Sequence, residues 1–357
     1  MKTTALYEKH LALNAKMIEY AGYSMPVSYA GITDEHLAVR HDMGIFDVSH
    51  MGEFVVTGKE ALLFVNHLVT NIITDEELKV TYALMCDEKG FVVDDLLVYL
   101  IKSTQILLVV NAGNMEKDFE WVSLQAKSFD VEVFNKSDDF SQIAVQGPKT
   151  LEHINQIIGQ DVRDLKFMTF YVVPYEDLHI IVSRTGYTGE DGFEIYAKNY
   201  LISKLWSDSI DQGAVPCGLG SRDTLRFEAN LPLYGHEISE SINPVEAGLN
   251  FAIKLDKPFI GRDALVTYKE NPKRKVVGLE LLERNIPRHG YEVYSGDILV
   301  GHITTGYLLP NVPTPIACAL VDIKYAAIGT ELSVLIRNKK IPAKVRNRKF
   351  YTKNYKK

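Results

Sequence analysis

The chain has 357 residues, enough for two or three domains, and its hydrophobic and charged fractions of 46% and 24% are typical of globular proteins. A net charge of −7 disfavours nucleic acid as the main partner, and no apolar stretch approaches the roughly 20 residues that span a bilayer, so we expect no membrane insertion. Three widely spaced cysteines and an amino terminus without an apolar core predict a cytoplasmic protein with no export signal and no disulfides. Ten scattered histidines, with no HExxH or HxH, predict no metal site.

Helices and strands mix irregularly in the first half of the chain. Apolar residues at near-helical spacing predict a helix over 6–21, and Thr33 can cap a second helix. Residues 91–100 and 106–111 predict an antiparallel strand pair. Further strands are expected at 53–56, 131–134 and 142–145, and further helices at 59–70, after Gly113 and after Gly147-Pro148.

The second half changes character near residue 275. Before it, strands at 180–182 and 193–196 are followed by helices near 200–212 and 221–229. After it, six short strands and no helix predict a small β-barrel or sandwich; they are 276–282, 291–294, 298–304, 316–321, 332–336 and 341–345. Because strands and helices do not alternate strictly, the pattern favours an α+β fold with antiparallel sheets.

Two adjacent carboxylates, Asp94 and Asp95, interrupt an otherwise apolar strand. Burying an ionised carboxylate costs several kcal/mol unless hydrogen bonds or charges offset it. Because side chains alternate across a strand, Asp95 shares a face with Phe91, Val93, Leu97 and Tyr99, and Asp94 shares the other with Val92, Leu96 and Val98. Asp95 therefore lies beside an aromatic wall suited to a small polar ligand. A structural role at the strand start or at a bulge remains the alternative, and it suits Asp94 better.

A glycine-rich turn, RTGYTGEDGFE at 184–194, leads into a strand and lacks a following Lys-Ser/Thr, which argues against a phosphate loop. Its glycines allow a close approach of the backbone, and the turn would aim Tyr187 and Glu194 at a ligand. A buried Glu194 needs donors, such as the adjacent N–H groups of a pterin or purine edge. A structural pair between Arg184 and a glutamate is an equal alternative.

Three further features have mainly structural interpretations. The helix start GLGSRD at 218–223 can form ion pairs of Arg222 and Arg226 with Asp223 and Glu228. His50 fits a satisfied turn or core residue better than a base. The last 21 residues contain ten Lys or Arg and no acidic residue. This basic segment is either a solvated face or a surface that steers an acidic partner, and its apolar residues predict a final strand.

Motifs along the whole chain resemble the T protein of the glycine cleavage system, the tetrahydrofolate-dependent aminomethyltransferase family. They are LYEKH (6–10), GIFDVSHMG (44–52), DDL (94–96), VVNA (109–112), AVQGP (144–148), the 184–194 turn, GLGSRD (218–223), LYGHE (233–237) and FIGR (259–262). The resemblance implies three domains in a cloverleaf around a folate channel. These are a folate-binding α+β domain (1–50 and 140–250), an inserted α+β domain (51–139) and a C-terminal β-barrel domain with its linker (251–357).

The resemblance also implies roles for individual residues. Asp95 would be the catalytic carboxylate near folate N5 and N10, and Glu194 would bind the pterin edge. Residues that would bind or line the rest of the channel are Tyr82, Tyr99, Val109, Val110, Asn111, Tyr187, Arg222 and, from the carboxyl-terminal segment, Tyr355. The chain departs from the family at Gly90-Phe91, where two glycines are usual, and at Thr304-Thr305-Gly306-Tyr307 in the C-terminal domain.

The implied reaction takes an aminomethyl group from the lipoyl arm of the H protein, the expected partner, and gives 5,10-methylenetetrahydrofolate, ammonia and reduced lipoyl. No metal is expected to take part. The alternative is a non-catalytic folate-binding accessory protein of the same fold, but the Lys-Gly-Cys-Tyr-x-Gly-Gln-Glu motif of such proteins does not occur here. A demethylating oxidase would carry a dinucleotide-binding domain, and none is evident. Deletion of the residues after Arg337 is expected to weaken use of the H protein more than folate binding.

Overall fold

The computed structural model describes residues 1–310 and 312–355. The first half contains β1 (Lys2–Thr3), α1 (Tyr7–Ala12), β2 (Lys16–Tyr20), β3 (Tyr23–Ser28), α2 (Ile32–His41), β4 (Gly44–Asp47), β5 (Gly52–Thr57), α3 (Ala61–Leu68), β6 (Lys79–Cys86), β7 (Val92–Lys102), β8 (Gln105–Val110), α4 (Met115–Ala126), β9 (Glu132–Asn135), β10 (Phe140–Gln146) and α5 (Thr150–Ile158). The second half contains β11 (Phe170–Tyr175), β12 (Leu178–Ser183), β13 (Gly192–Lys198), α6 (Asn199–Asp211), β14 (Val215–Pro216), α7 (Leu219–Glu228), α8 (Arg262–Glu270), β15 (Arg274–Leu281), β16 (Glu292–Ser295), β17 (Ile298–Tyr307), β18 (Ile316–Asp322), β19 (Glu331–Ile336) and β20 (Lys339–Arg346).

Two large sheets, each packed with helices, make up most of the first part of the molecule, beside a small sheet of order β1-β3-β2. One sheet has the order β11-β12-β13-β10-β4-β14, and the other has the order β6-β7-β8-β5-β9. Since β4 and β10 pair although 92 residues separate Asp47 from Phe140 in the sequence, the second sheet is an insertion into the first unit. Each sheet has its own apolar core. The predicted α+β class with antiparallel sheets is confirmed, and the domain limits of 1–50 with 140–250, 51–139 and 251–357 stay a prediction.

The carboxyl-terminal strands close into a barrel of order β15-β18-β17-β16-β19-β20, as the sequence predicts. Inward-facing residues alternate along each strand, for example Leu332, Val334 and Ile336 on β19. A short 3-10 helix, Ile323–Tyr325, was not expected between the strands. Because β20 pairs with both β15 and β19, deletion after Arg337 would open the barrel. Such a deletion would therefore not isolate a docking role. Lys356 and Lys357 of the basic segment lie outside the described residues.

The prediction of one helix over 6–21 is wrong. Helix α1 ends at Ala12, and residues 16–20 form β2, which pairs with β3. Asn14 adopts a φ of 55°, which ends the helix, and Ala21-Gly22 make the hairpin turn with φ of 50° and 83°. Positive φ at both central residues is the signature of the tight turn that joins twisted antiparallel strands. The apolar spacing that suggested a helix therefore belongs to two elements.

The sequence analysis missed several elements, among them β3, β6, β11 and α8. Strand β6 is a run of β-branched, aromatic and aliphatic residues from Lys79 to Cys86, so its composition carried a signal. Strand β6 pairs along its length with β7, which places Leu84 opposite Asp95. In the part of the chain that the structure describes, no helix is long and apolar enough to cross a membrane.

Candidate active site

Strands β7 and β8 form the antiparallel pair that the sequence predicts, and they position Asp95. The register between β6 and β7 shifts by one residue, so that Cys86 pairs with Val92 and Met85 with Asp94. This bulge at Val93 moves Val93 into the apolar core of the inserted sheet and Val92 to the opposite side. The expected face assignments of Val92 and Val93 are therefore exchanged. Leu97 and Tyr99 do lie together, beside the six-stranded sheet.

Two side chains hold the Asp95 carboxylate. The Tyr82 hydroxyl donates to Oδ2 at 3.0 Å, and the Asn111 amide donates to Oδ1 at 2.8 Å. Burial, with the neighbouring charge of Asp94, raises the pKa of Asp95 to about 7. Asp95 is therefore a positioned carboxylate that can exchange a proton near neutral pH.

Asp94 has a structural role. It is fully buried and accepts from the Asn111 main-chain N–H at 2.9 Å, the Asn111 amide at 2.9 Å and the Asn114 amide at 2.7 Å. Burial and the charge of Asp94 raise the pKa of the nearby Asp118, so Asp118 stays neutral. Asn111 thus contacts both carboxylates and fixes one relative to the other. The structural alternative describes Asp94, whereas the Asp95 side chain lies on the opposite face of β7 and is only partly buried.

Tyr187 lies near Asp95 and contacts Arg222. The Arg222 guanidinium is 4.8 Å from the centre of the Tyr187 ring, a cation–π contact, and the Tyr187 hydroxyl donates to the main-chain carbonyl of Pro232. Asp95 is close enough to Tyr187 for its charge to raise the pKa of that phenol, which burial raises most strongly. Arg222 Nη1 is buried and has no hydrogen-bond partner among the described residues. That donor is available to an acceptor on a ligand.

Glu194 lies on β13 and is 4% exposed. Its Oε2 accepts from the Thr185 hydroxyl at 2.5 Å. Burial raises the pKa of Glu194, while the Thr185 bond and the Arg222 charge oppose that rise. Among residues 1–310 and 312–355, no donor reaches Oε1, so Glu194 can accept N–H groups from a ligand. The alternative pairing does not form, because Arg184 pairs with Asp191 at 2.6 Å.

Of the two arginines on α7, only Arg222 lacks a carboxylate partner among the described residues. Arg226 pairs with Asp223 at 2.7 Å, and Glu228 pairs with Arg40 at 2.7 Å. Arg222 is therefore left without a carboxylate partner among the described residues, while Asp223 and Glu228 have the structural roles that the sequence allowed.

The remaining predicted residues differ in how close they come to Asp95. Asn111 contacts Asp95, and Val109 lies on the same side of the sheet as Leu97. Tyr99 is fully buried and hydrogen-bonded, and the Val110 side chain lies in the core of the inserted sheet, so neither side chain lines open space. Tyr355 stacks on Phe167 at 4.4 Å between ring centres, near Glu194.

Three residues that the sequence analysis did not single out as ligand contacts also lie here. Phe251, 63% exposed, stacks on Tyr82 at 5.9 Å, which places an accessible aromatic ring beside the Asp95 partner. His50 has an unpartnered Nδ1 among the described residues, and burial lowers its pKa to about 4, so it is neutral. Tyr20 contacts the His50 ring edge-on. No motif distinguished Phe251 or Tyr20 in the sequence, because each is one aromatic residue among many.

The departure at Gly90-Phe91 is accommodated away from the carboxylate. The Phe91 ring packs on Tyr268 of α8 at 6.0 Å, and Gly90 has a φ of 81°.

Among the described residues, no group of three or more metal-ligating side chains is arranged to hold an ion. Two open surface clefts share His67, Lys257 and Pro258, and none of the proposed site residues lines them.

Family models cover almost the whole chain. Residues 6–257 match the GCVT N-terminal domain, and residues 274–352 match the glycine cleavage T-protein C-terminal barrel domain. The chain belongs to the glycine cleavage T-protein family. The resemblance drawn from its motifs is therefore confirmed.

Full-length T-protein relatives are similar throughout. An aminomethyltransferase of Caldanaerobacter subterraneus subsp. tengcongensis is 48% identical, with 100% of this chain and 98% of the relative aligned. That of Alkaliphilus oremlandii is 49% identical, with 100% and 99% aligned. The crystal structure of glycine cleavage system aminomethyltransferase T from Bartonella henselae is 32% identical, covers 100% of this chain and 99% of its own, and superposes with a TM-score of 0.92.

Proposed function

We propose that this T-protein family member is a tetrahydrofolate-dependent aminomethyltransferase that acts on the aminomethyl-lipoyl arm of the H protein. Two C–N bonds form to folate N5 and N10, and the C–S and C–N bonds of the aminomethyl group break. The two folate N–H protons end on the lipoyl thiol and on ammonia. The observation that carries the proposal is the Asp95 carboxylate, held by Tyr82 and Asn111 near Tyr187.

Asp95 would act by position and charge. Held by two donors, its carboxylate can orient the folate N–H, hold the positive charge that develops as nitrogen attacks carbon, and accept the proton that is lost. Glu194 Oε1 would accept from the pterin edge, and Arg222 Nη1 would donate to the ligand. The polar groups that are available here match a reduced folate, which has both adjacent N–H donors and carbonyl acceptors.

A pH profile tests the role of Asp95 as proton acceptor. The ionised form is required, so we expect kcat/KM to rise about tenfold per pH unit below about 7 and to level off above it. The D95N enzyme should lose this dependence, since an amide does not titrate. A wild-type profile that is flat between pH 6 and 8 would contradict a proton transfer to Asp95.

The basic segment is proposed to steer the acidic partner. Lys344 on β20 and Lys349 beyond it are exposed, so both can be changed without loss of core contacts. We expect the double variant K344E/K349E to raise KM for the H protein, with a larger effect at low salt because ions screen exposed charges. Steady-state assays at several ionic strengths measure this.

A control for that variant is K127E, which reverses one exposed charge beyond α4, against two in K344E/K349E. It should leave KM for the H protein unchanged. An equal effect per reversed charge in K127E and in K344E/K349E would assign the result to net charge. It would contradict local docking by the basic segment. A raised Kd for tetrahydrofolate in K344E/K349E would also contradict a role confined to the H protein.

A further inference from the structure

A chain of buried hydroxyl groups lies behind Glu194 and connects the two sheets. The Tyr196 and Tyr99 hydroxyls are 2.9 Å apart, Tyr99 donates to the Ser183 hydroxyl at 3.2 Å, and Ser183 lies 2.9 Å from the Thr185 hydroxyl. Thr185 then donates to Glu194 at 2.5 Å. We name Tyr196, Tyr99, Ser183 and Thr185 the hydroxyl relay. Tyr99 comes from β7, the strand that carries Asp95, and the others come from the six-stranded sheet or its 184–194 loop.

Once Glu194 is ionised, the direction of every bond in the relay follows. A hydroxyl has a single proton to donate, and a carboxylate can only accept. Because the Thr185 hydroxyl donates its hydrogen bond to Glu194, Ser183 must donate to Thr185. Because Tyr99 donates to Ser183, Tyr196 must donate to Tyr99. All the relay bonds therefore point toward the Glu194 carboxylate.

The Gln142 amide is the first donor in this series of hydrogen bonds, since its Nε2 donates to the Tyr196 hydroxyl at 3.0 Å. The relay residues are between 0% and 3% exposed, so they bond to one another rather than to bulk water. Aligned hydrogen bonds in a low-dielectric interior polarise each other. The whole series thus delivers one strengthened donor to Oε2 of Glu194.

We propose that the hydroxyl relay is a positioning device that fixes Oε2 of Glu194 and keeps this carboxylate ionised, so that Oε1 is presented to the N–H groups of the ligand. Ser183, Thr185, Tyr99 and Tyr196 are positioning residues in this sense, since they act through Glu194. The identity of the ligand rests on the proposed function. The ionisation of Glu194, however, is a property of the protein alone and can be measured without any ligand.

Other groups also face Glu194. Arg222 approaches from α7, Tyr99 from β7 and Tyr355 from the carboxyl-terminal segment, while Tyr196 lies on the same strand. Of these, Arg222 carries the positive charge, which favours the ionised form. Loss of the Thr185 bond should therefore raise the pKa of Glu194 while the Arg222 contribution persists.

Infrared titration of the ligand-free full-length protein measures this ionisation, with E194Q used to assign the carboxylate band. We expect T185V, which removes the hydroxyl at nearly constant shape, to move the Glu194 midpoint upward by about one pH unit. T185S keeps a hydroxyl and should restore the wild-type midpoint. Y99F, three hydrogen bonds away from Glu194, should shift the midpoint in the same direction by less. S183A serves as a second interruption if T185V does not fold.

Binding of tetrahydrofolate to the same variants gives the second readout. We expect T185V to weaken binding about tenfold, with the loss extending to higher pH than in the wild type, and T185S to bind normally. If the midpoint moves but the wild type binds no folate, the relay stands and the proposed ligand fails. An unchanged midpoint in both T185V and S183A overturns the relay, even when folate binds normally.

Discussion

The D95N enzyme is expected to turn over about 10²–10⁴ times more slowly than the wild type, while it binds tetrahydrofolate with largely unchanged affinity. The amide keeps the shape of the side chain, and its oxygen can still accept from Tyr82. It has no negative charge to stabilise the attacking nitrogen, and it cannot take a proton at neutral pH. A loss of kcat without a loss of folate affinity is the pattern of an interaction made in the transition state.

D118N is the matched control for D95N. Asp118 is a neutral acid beside Asp94, so replacement by a neutral amide should change neither the fold nor the charge next to Asp95. Stopped-flow or quenched-flow assays of methylene transfer, together with calorimetric folate binding, compare the two variants. Undiminished turnover in D95N would remove Asp95 from the mechanism, and an equal loss in D118N would indicate a general disturbance of the carboxylate cluster.

The R226M protein is expected to lose about 3–5 kcal/mol of unfolding free energy, the cost of leaving one partner of a buried ion pair uncompensated. Arg226 is 1% exposed and donates to Glu237 at 2.7 Å, to Asp223 at 2.7 Å and to Thr305 of the barrel at 3.1 Å. The Glu237 carboxylate also accepts from Thr304 and Thr305, each at 2.7 Å. Arg226 thus joins α7 to the C-terminal barrel at the very segment where this sequence departs from the family.

The loss in R226M should depend on pH in a definite direction. Burial alone would raise the pKa of Glu237, but Arg226 and the threonine hydroxyls lower it in the folded protein. A lowered pKa contributes stability above the ordinary glutamate value, and that contribution disappears as the pH falls. Urea denaturation should therefore give the full difference from wild type at pH 7, and this difference should shrink only below the ordinary glutamate pKa, as the pH falls through the lowered pKa of Glu237.

R222M, on the same helix, is the control for stability. Arg222 has no carboxylate partner among the described residues, so its removal should cost less than about 1 kcal/mol of unfolding free energy. The same change should weaken folate binding, because it removes the proposed ligand donor. A similar loss of stability in R222M and R226M would contradict the view that one arginine serves the fold and the other the ligand.

Local patterns of the sequence predicted much of the fold. The barrel strands and the β7–β8 pair were found because each combines alternation with clear turn residues. The helix over 6–21 failed because apolar spacing near 3.6 also fits a helix followed by a hairpin, and the Ala21 turn has no glycine at its first position. The bulge at Val93 was invisible, since it depends on how β6 pairs with β7 rather than on either strand alone.

The candidate site was predictable where chemistry conflicts with burial. Asp95 and Glu194 stood out as carboxylates among apolar residues, and the structure gives both of them donors. Tyr99 and Val110 were assigned to the channel through the family resemblance, but their depth depends on packing between two sheets. Phe251 could not be found, because its position beside Tyr82 depends on how the segment before the barrel folds back. The hydroxyl relay is formed by residues from separate strands, and no local motif records it.

A single-turnover experiment with aminomethyl-lipoyl H protein and tetrahydrofolate tests the central claim most directly. The account predicts that this protein forms 5,10-methylenetetrahydrofolate and ammonia in equal amounts, and that D95N forms neither at a comparable rate. Tight folate binding with no methylene transfer by the wild-type protein would contradict it and would favour a folate-binding role without catalysis.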